Sequence, residues 1–217
     1  MSAQYAWVAG LTVLLVGFAF WPLFSRQRRR KAFDSERAAN RRHRRLTLEA
    51  LGFEAIHDLK IRDQAGRMVH VDHLVRLPAS LLLVKAAPTD VAGRVMAEAD
   101  AGVWRYINRH KRVARMTNPV VELHAVIHAI RNRYPLVRER LLTVFPDAAV
   151  LPQPARRHIC RSAEFSAAVK ALADADAVQS TAVQAAWEPL TKALLEAAKA
   201  PIGRNKPAPQ PAAATPH

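Results

Sequence analysis

Asp72 and His73 stand in the run HVDHLV, with His70 two residues before the acid. Carboxylate oxygens and imidazole nitrogens both ligate divalent cations. This segment is therefore the first candidate for metal chemistry. Strand side chains alternate between faces, which predicts His70 and Asp72 together on one face and His73 on the other. The same cluster also fits a plain polar strand end. His124 and His128 lie four apart in HAVIH, a spacing that sets both on one helix face and can hold zinc. No HExxH glutamate lies between them and no third ligand is evident, so surface or half-buried histidines are the alternative. Cys160 has no partner in a nucleophile motif and reads as a structural thiol. As the lone cysteine it excludes an intramolecular disulfide framework and a zinc site built mainly of thiolates. Seven glycines are scattered and form no phosphate-cradling loop.

Two stretches carry cations and aromatics together. RYINRHKRVAR contains Arg105, Arg109, Lys111, Arg112 and Arg115, with Tyr106 interleaved and Trp104 just before it. RNRYPLVRER contains Arg131, Arg133, Arg138 and Arg140 around Tyr134. Aromatic rings among arginines can stack bases while the cations hold phosphates. A solvated face with a core tryptophan is the other reading. The chain of 217 residues has 33 Lys+Arg and 18 Asp+Glu, a formal net charge of +15. That balance attracts polyanions, whether nucleic acid or an anionic membrane face. With 50% hydrophobic residues, a wholly disordered chain is excluded.

The charge is unevenly placed. Residues 5–24 (YAWVAGLTVLLVGFAFWPLF) carry none and would span roughly 30 Å as a helix, the thickness of a hydrocarbon core. Tyr5, Trp7 and Trp21 stand near its ends, where aromatic rings prefer the interface. Arg26 to Arg45 holds ten basic residues and two acids, a net of +8. The positive-inside rule then puts a tail of residues 1–4 outside and everything after the anchor in the cytoplasm of a cell inner-membrane protein. The basic juxtamembrane helix of residues 25–45 is expected against anionic headgroups of the membrane lipid.

The elements that must position the candidate residues follow. A helix is predicted from about Lys31 to Leu51, stopped at Gly52. Strands are predicted over FEAIHDLKIRD, MVHVDHLVRL and LLLVKA, the last a continuous apolar run. A looser region reaches Asp100, and VWRYINRHKRVARM reads as two short strands or a strand and loop. Asn118-Pro119 opens an amphipathic helix through Tyr134, followed by a strand within RLLTVFPDAAVL. Ala-rich helices fill residues 166–200, with Pro189 expected to kink or restart the second. The Pro/Ala-rich tail of residues 201–217 is expected to be disordered.

Glu36 in FDSERAAN, Asp72-His73 in VDHLV, Trp104 and Asn118-Pro119 occur in an order and spacing that resembles the nuclease-related domain (NERD) family. That family is grouped by resemblance with the PD-(D/E)XK nucleases. The likeness covers residues 33–165. It implies a restriction-endonuclease-like α/β fold, a mixed sheet flanked by helices, behind the transmembrane helix and ahead of the helical extension. It also implies metal-dependent phosphodiester hydrolysis, with Mg²⁺ as the cofactor of an active member. By the resemblance Asp72 is the metal-binding catalytic acid, Glu36 an accessory acid and Lys85 a remnant of the active strand. The family's Glu-x-Lys departs here. Without gaps its Glu falls on Lys85 and its Lys on Ala87; with a two-residue deletion Lys85 keeps the lysine's place and the acid becomes Leu83. Asp90 or Glu98 could supply a relocated acid. The glutamine after Asn-Pro is missing, with Glu122 nearby, and Ser80 replaces a turn glycine. The expectation is DNA or RNA binding at the cytoplasmic membrane face with impaired hydrolysis. The alternative is a non-catalytic scaffold that docks a protein partner through the helical extension.

Overall fold

A computed structural model describes residues 33–62, 67–98, 101–152, 158–176 and 178–199. The expected outer tail, the anchor at 5–24, the stem up to residue 32 and the tail at 201–217 lie outside the described residues. Among the described residues no helix is long and apolar enough to cross a membrane.

Helix α1 (residues 33–50) ends where its sequence says it should. Gly52 takes φ 75°, and Phe53 N–H reaches back to Leu48 O at 3.1 Å, closing a Schellman turn. The chain then enters β1 (Ala55–Arg62), β2 (Met68–Arg76) and β3 (Ser80–Ala86), an antiparallel meander. β3 pairs in parallel with β7 (Arg138–Phe145), and β7 with the short β8 (Ile159–Arg161). The result is one mixed sheet, ordered β1-β2-β3-β7-β8. A second antiparallel sheet holds β4 (Val91–Met96), β5 (Val103–Asn108) and β6 (Val113–Thr117). The supposedly loose region before Asp100 is thus strand β4. A Cβ at its Gly93 would come 2.9 Å from Ile107 Cβ, so glycine is needed there, which hides the strand from a propensity reading.

Helices cover both faces of the mixed sheet. Leu48 of α1 and Phe165 and Val169 of α3 (Phe165–Asp174) pack with Val75, Leu82, Val84, Leu142 and Val144 on one face. On the other, α2 (Pro119–Arg133) and α4 (Thr181–Lys199) supply Leu123, Val126, Ile130, Val183 and Trp187 against Leu81 and Leu83. β3 therefore buries both its faces, which is why its sequence is an unbroken apolar run. The C-terminal helices are built into this sandwich. Asp176, at their junction, accepts from Ser80 Oγ and from Arg140 Nη2, each at 2.5 Å. Ser80 thus contributes a buried hydroxyl where a turn glycine is expected. α4 runs through Pro189 without restarting; Pro189 and Ala185, whose carbonyl loses its partner, both face solvent.

The alternation of β2 slips in the middle. Val71 and Leu74 both enter the α2/α4 core, whereas Val75 enters the α1/α3 core. β1 slips opposite, with Ile56 and Leu59 in one core and Asp58 between them at φ 57°. This irregularity sets the geometry of the candidate site.

Candidate functional site

Asp72 sits at the slip and is fully buried. Its Oδ2 accepts the backbone N–H of Ala86 at 2.7 Å, so the carboxylate closes the β2–β3 ladder in place of a main-chain carbonyl. Its Oδ1 lies 3.7 Å from Nε of Arg41 on α1. Lys85 leaves the other face of the sheet. Its Nζ donates to His70 O at 2.8 Å and to Glu122 Oε1 at 2.5 Å, in the first turn of α2. The antiparallel register, with His73 opposite Val84, sets Asp72 and Lys85 on neighbouring strand positions. Because alternation slips, their charged ends nonetheless turn to different helices. Glu36 is engaged elsewhere again, in an ion pair with Arg109. The three expected catalytic side chains each hold a separate partner and do not converge.

The residues around Asp72 do not fit Mg²⁺. A hard cation needs several oxygen ligands, but one oxygen of Asp72 takes an N–H and the other faces a guanidinium. The alternative second-acid positions are Leu83, which is wholly buried in the apolar core, and Lys85, a cation. Among the described residues no three His, Cys, Asp or Glu side chains group to hold an ion. Asp90 accepts from Tyr106 Oη at 2.9 Å and lines a cleft of ≈ 400 Å³ with Lys85 and Glu122. Sequence reasoning did not identify Glu122 as the partner of Lys85; its place four residues after the helix cap was the available signal.

The histidines resolve into structural pairs. His70 Nε2 meets Asp58 Oδ1 at 2.7 Å, and Arg41 reaches the same oxygen at 2.5 Å. His73 does not take the face opposite Asp72, as strict alternation predicts. Instead it turns toward α1, its Nδ1 2.8 Å from Nδ1 of His57. Burial first, then Arg44 and His57, push His73 down to about 3. The rings of exposed His124 and His128 stack at 6.0 Å, and nearby Glu139 is held by Arg131. Cys160 is buried, and burial, then Glu164, raise its thiol to about 12, which leaves it inert.

Trp104 and Asn118-Pro119 have structural roles. Trp104 is wholly buried, donates to Glu98 O at 2.8 Å and stacks on Phe145. Asn118 caps α2 by accepting from Val120 N at 3.0 Å, with Pro119 pre-set for the first turn.

The cations separate into engaged and exposed groups. Arg109 binds Glu36 and Thr89 O, over the ring of Phe33, and Arg131 binds Glu139. Arg133 ends α2 and is exposed, apart from the second sheet. β5 and β6 alternate cleanly. Trp104, Tyr106, Ala114 and Met116 point into a core with Phe145 and Ile159, while Arg105 and Arg115 point out. The buried rings therefore cannot stack bases. Arg105 pairs directly across from Arg115, and across from Met96 on its other side; Arg94, two residues before Met96, is exposed within the stretch where the β4–β5 register shifts. Val103 and Val113 flank them, 50% and 66% exposed. Lys111 and Arg112 extend the basic face in the β5–β6 turn, which Asn108 holds through His110 N and Arg112 N. None of Arg94, Arg105, Lys111, Arg112 or Arg115 has an ion-pair partner among the described residues. Comparisons with protein-family models, curated proteins and solved structures matched nothing to this chain.

Proposed function

We propose that this chain is a membrane-anchored, nuclease-related domain protein that binds DNA or RNA at the cytoplasmic face without hydrolysing it. The restriction-endonuclease-like relationship and the inner-membrane topology belong to this proposal. The observation that carries it is the exposed cross-strand pair Arg105–Arg115, with exposed Arg94 nearby on β4, on a face of the second sheet that no described residue covers. Like charges placed directly across a strand pair destabilise a sheet by a few tenths of a kcal/mol. A polyanion laid across these cations would relieve that repulsion and release counterions. The separate engagement of Asp72, Lys85 and Glu36 supports the non-hydrolytic half. The stem up to residue 32, nearest the lipid, would hold headgroups rather than nucleic acid, whereas Arg41 and Arg44 of α1 are engaged in the fold.

The test uses the full chain in a nonionic detergent with labelled single strands and duplexes. Five exposed cations on one face give a slope of log K against log salt of about −3.5 for single strands. Arg105→Ala with Arg115→Ala should flatten that slope by about 1.4. Salt-independent binding, or none at low salt, refutes the nucleic-acid reading. Cleavage with Mg²⁺ or Mn²⁺ that Asp72→Asn abolishes, with the fold intact by circular dichroism, refutes the non-hydrolytic half.

A further inference from the structure

Beneath α1, at the carboxyl ends of the parallel strands β3, β7 and β8, lies a narrow recess. It is lined by Arg37, Asn40, Arg44, Ala87, Pro146 and Ser162 among others. Its volume of ≈ 10 Å³ takes one oxygen atom. It shares Arg37, Ala86, Ala87 and Thr89 with the ≈ 400 Å³ cleft beside it, so the two form one indentation. The carboxyl ends of parallel strands are the usual place for ligands in open α/β sheets.

Arg44 gives the recess its character. The residue is 3% exposed, and its Nε and Nη2 are buried without a hydrogen-bond partner among the described residues. A buried guanidinium needs an opposite charge and acceptors for its N–H groups. Asp72 is the one carboxylate that acts on it, and Asp72 already serves Ala86 N and faces Arg41. Arg37, Arg41 and Arg44 share one helix face; Arg41 is also held by Asp58 at 2.5 Å, and Arg37 adds a further guanidinium beside Arg44. Asn40 adds an amide donor at the rim, and Ser162 Oγ spends its proton on Phe145 O. Asp34, Asp90 and Glu122 line the cleft as well, and Glu122 is neutralised by Lys85. The recess itself is lined by Arg37 and Arg44 with no carboxylate, while Asp34 and Asp90 line the adjoining cleft.

From this geometry we infer an oxyanion subsite of the phosphate class, formed by Arg44, Arg37 and Asn40. One anion oxygen enters the recess against Arg44, while Arg37 and Asn40 hold the others at its mouth. This site is separate from the arginine pair on the second sheet and does not depend on it. Its chemistry is shared by inorganic phosphate and by a phosphomonoester lipid headgroup presented to a membrane-proximal helix.

Isothermal titration of the full chain in nonionic detergent with inorganic phosphate, at constant ionic strength in chloride, tests it. Wild type should saturate. Exposed Arg37→Gln should weaken binding at least about tenfold, the loss of one charge-assisted contact. Arg44→Met should abolish it. If Arg44→Met fails to fold, Arg37→Gln alone decides. No saturable binding up to on the order of 10 mM phosphate overturns the proposal. So does binding that both folded variants retain. Vesicles containing phosphatidic acid, against phosphatidylcholine alone, separate the sources. Displacement of phosphate by phosphatidic acid assigns a headgroup; retention of phosphate assigns the soluble ion.

Discussion

Acidification should weaken this fold chiefly through the buried ring of His73. Its ring is fully buried beneath α1, and its Nδ1 is 2.8 Å from that of His57. Two facing Nδ1 atoms share a single proton, so the pair disfavours a second charge. Burial, then the field of Arg44, adds to this and holds His73 near 3 against an ordinary 6.5. His57 is pushed down too, by burial and then by Arg45. In the unfolded chain His73 takes a proton near pH 6.5, while in the fold it stays neutral until about pH 3. Between those values the unfolded state binds more protons, so stability falls as pH drops through that window. At pH 4.5 the unfolded ring is almost wholly protonated and the folded one is not, which costs about 3 kcal/mol. Against a typical stability of about 5–15 kcal/mol this is a large share. Urea denaturation of the full chain in nonionic detergent, followed by the fluorescence of buried Trp104 and Trp187, measures it at pH 7 and 4.5. His73→Leu should remove most of the difference between the two pH values. Equal loss of stability in wild type and His73→Leu would refute the reasoning.

Glu122→Gln strands the Lys85 ammonium, whose side chain is 8% exposed, and should cost about 3 kcal/mol by denaturation. The double change Lys85→Met with Glu122→Leu should cost less than that single one, because no buried charge is left behind. Trp104→Ala should lose about 3–5 kcal/mol through the cavity beside Phe145, and its nucleic-acid binding per folded molecule should stay unchanged. Alkaline carbonate should leave the chain in the membrane pellet, and deletion of residues 5–24 should release it; extraction of the intact chain would sink the anchor.

Much of the architecture was legible because local rules and global packing agree. Gly52 stops α1 with a positive φ, Asn118-Pro119 starts α2 with a cap, and LLLVKA reads as a strand buried on both sides. β4 was obscured because Ala92 and Gly93 lack strand propensity, and Gly93 is there to admit Ile107. β8 is only three residues long, too short for any period to register. The candidate catalytic set was legible as a pattern of residue types and misleading as a site. Asp72, Lys85 and Glu36 stand at the expected positions in the chain, yet each neutralises a charge or fills a ladder position of its own.

The sequence by itself determined the uncharged segment at 5–24, the basic excess after it and the alternation that puts arginines and aromatics on opposite faces of β5. These depend on composition and on periods of two or 3.6 residues, which any stretch of chain carries locally. Only the tertiary structure decided which charges are neutralised and which stay exposed. It paired Arg109 with Glu36 across 73 positions and Lys85 with Glu122 across 37, and it set Arg105 directly across from Arg115. A one-residue slip at Asp72 turned the acid from Lys85 toward α1. Charge pairing works over a few ångströms of space, and the distance between two charges is set by how strands register and helices pack.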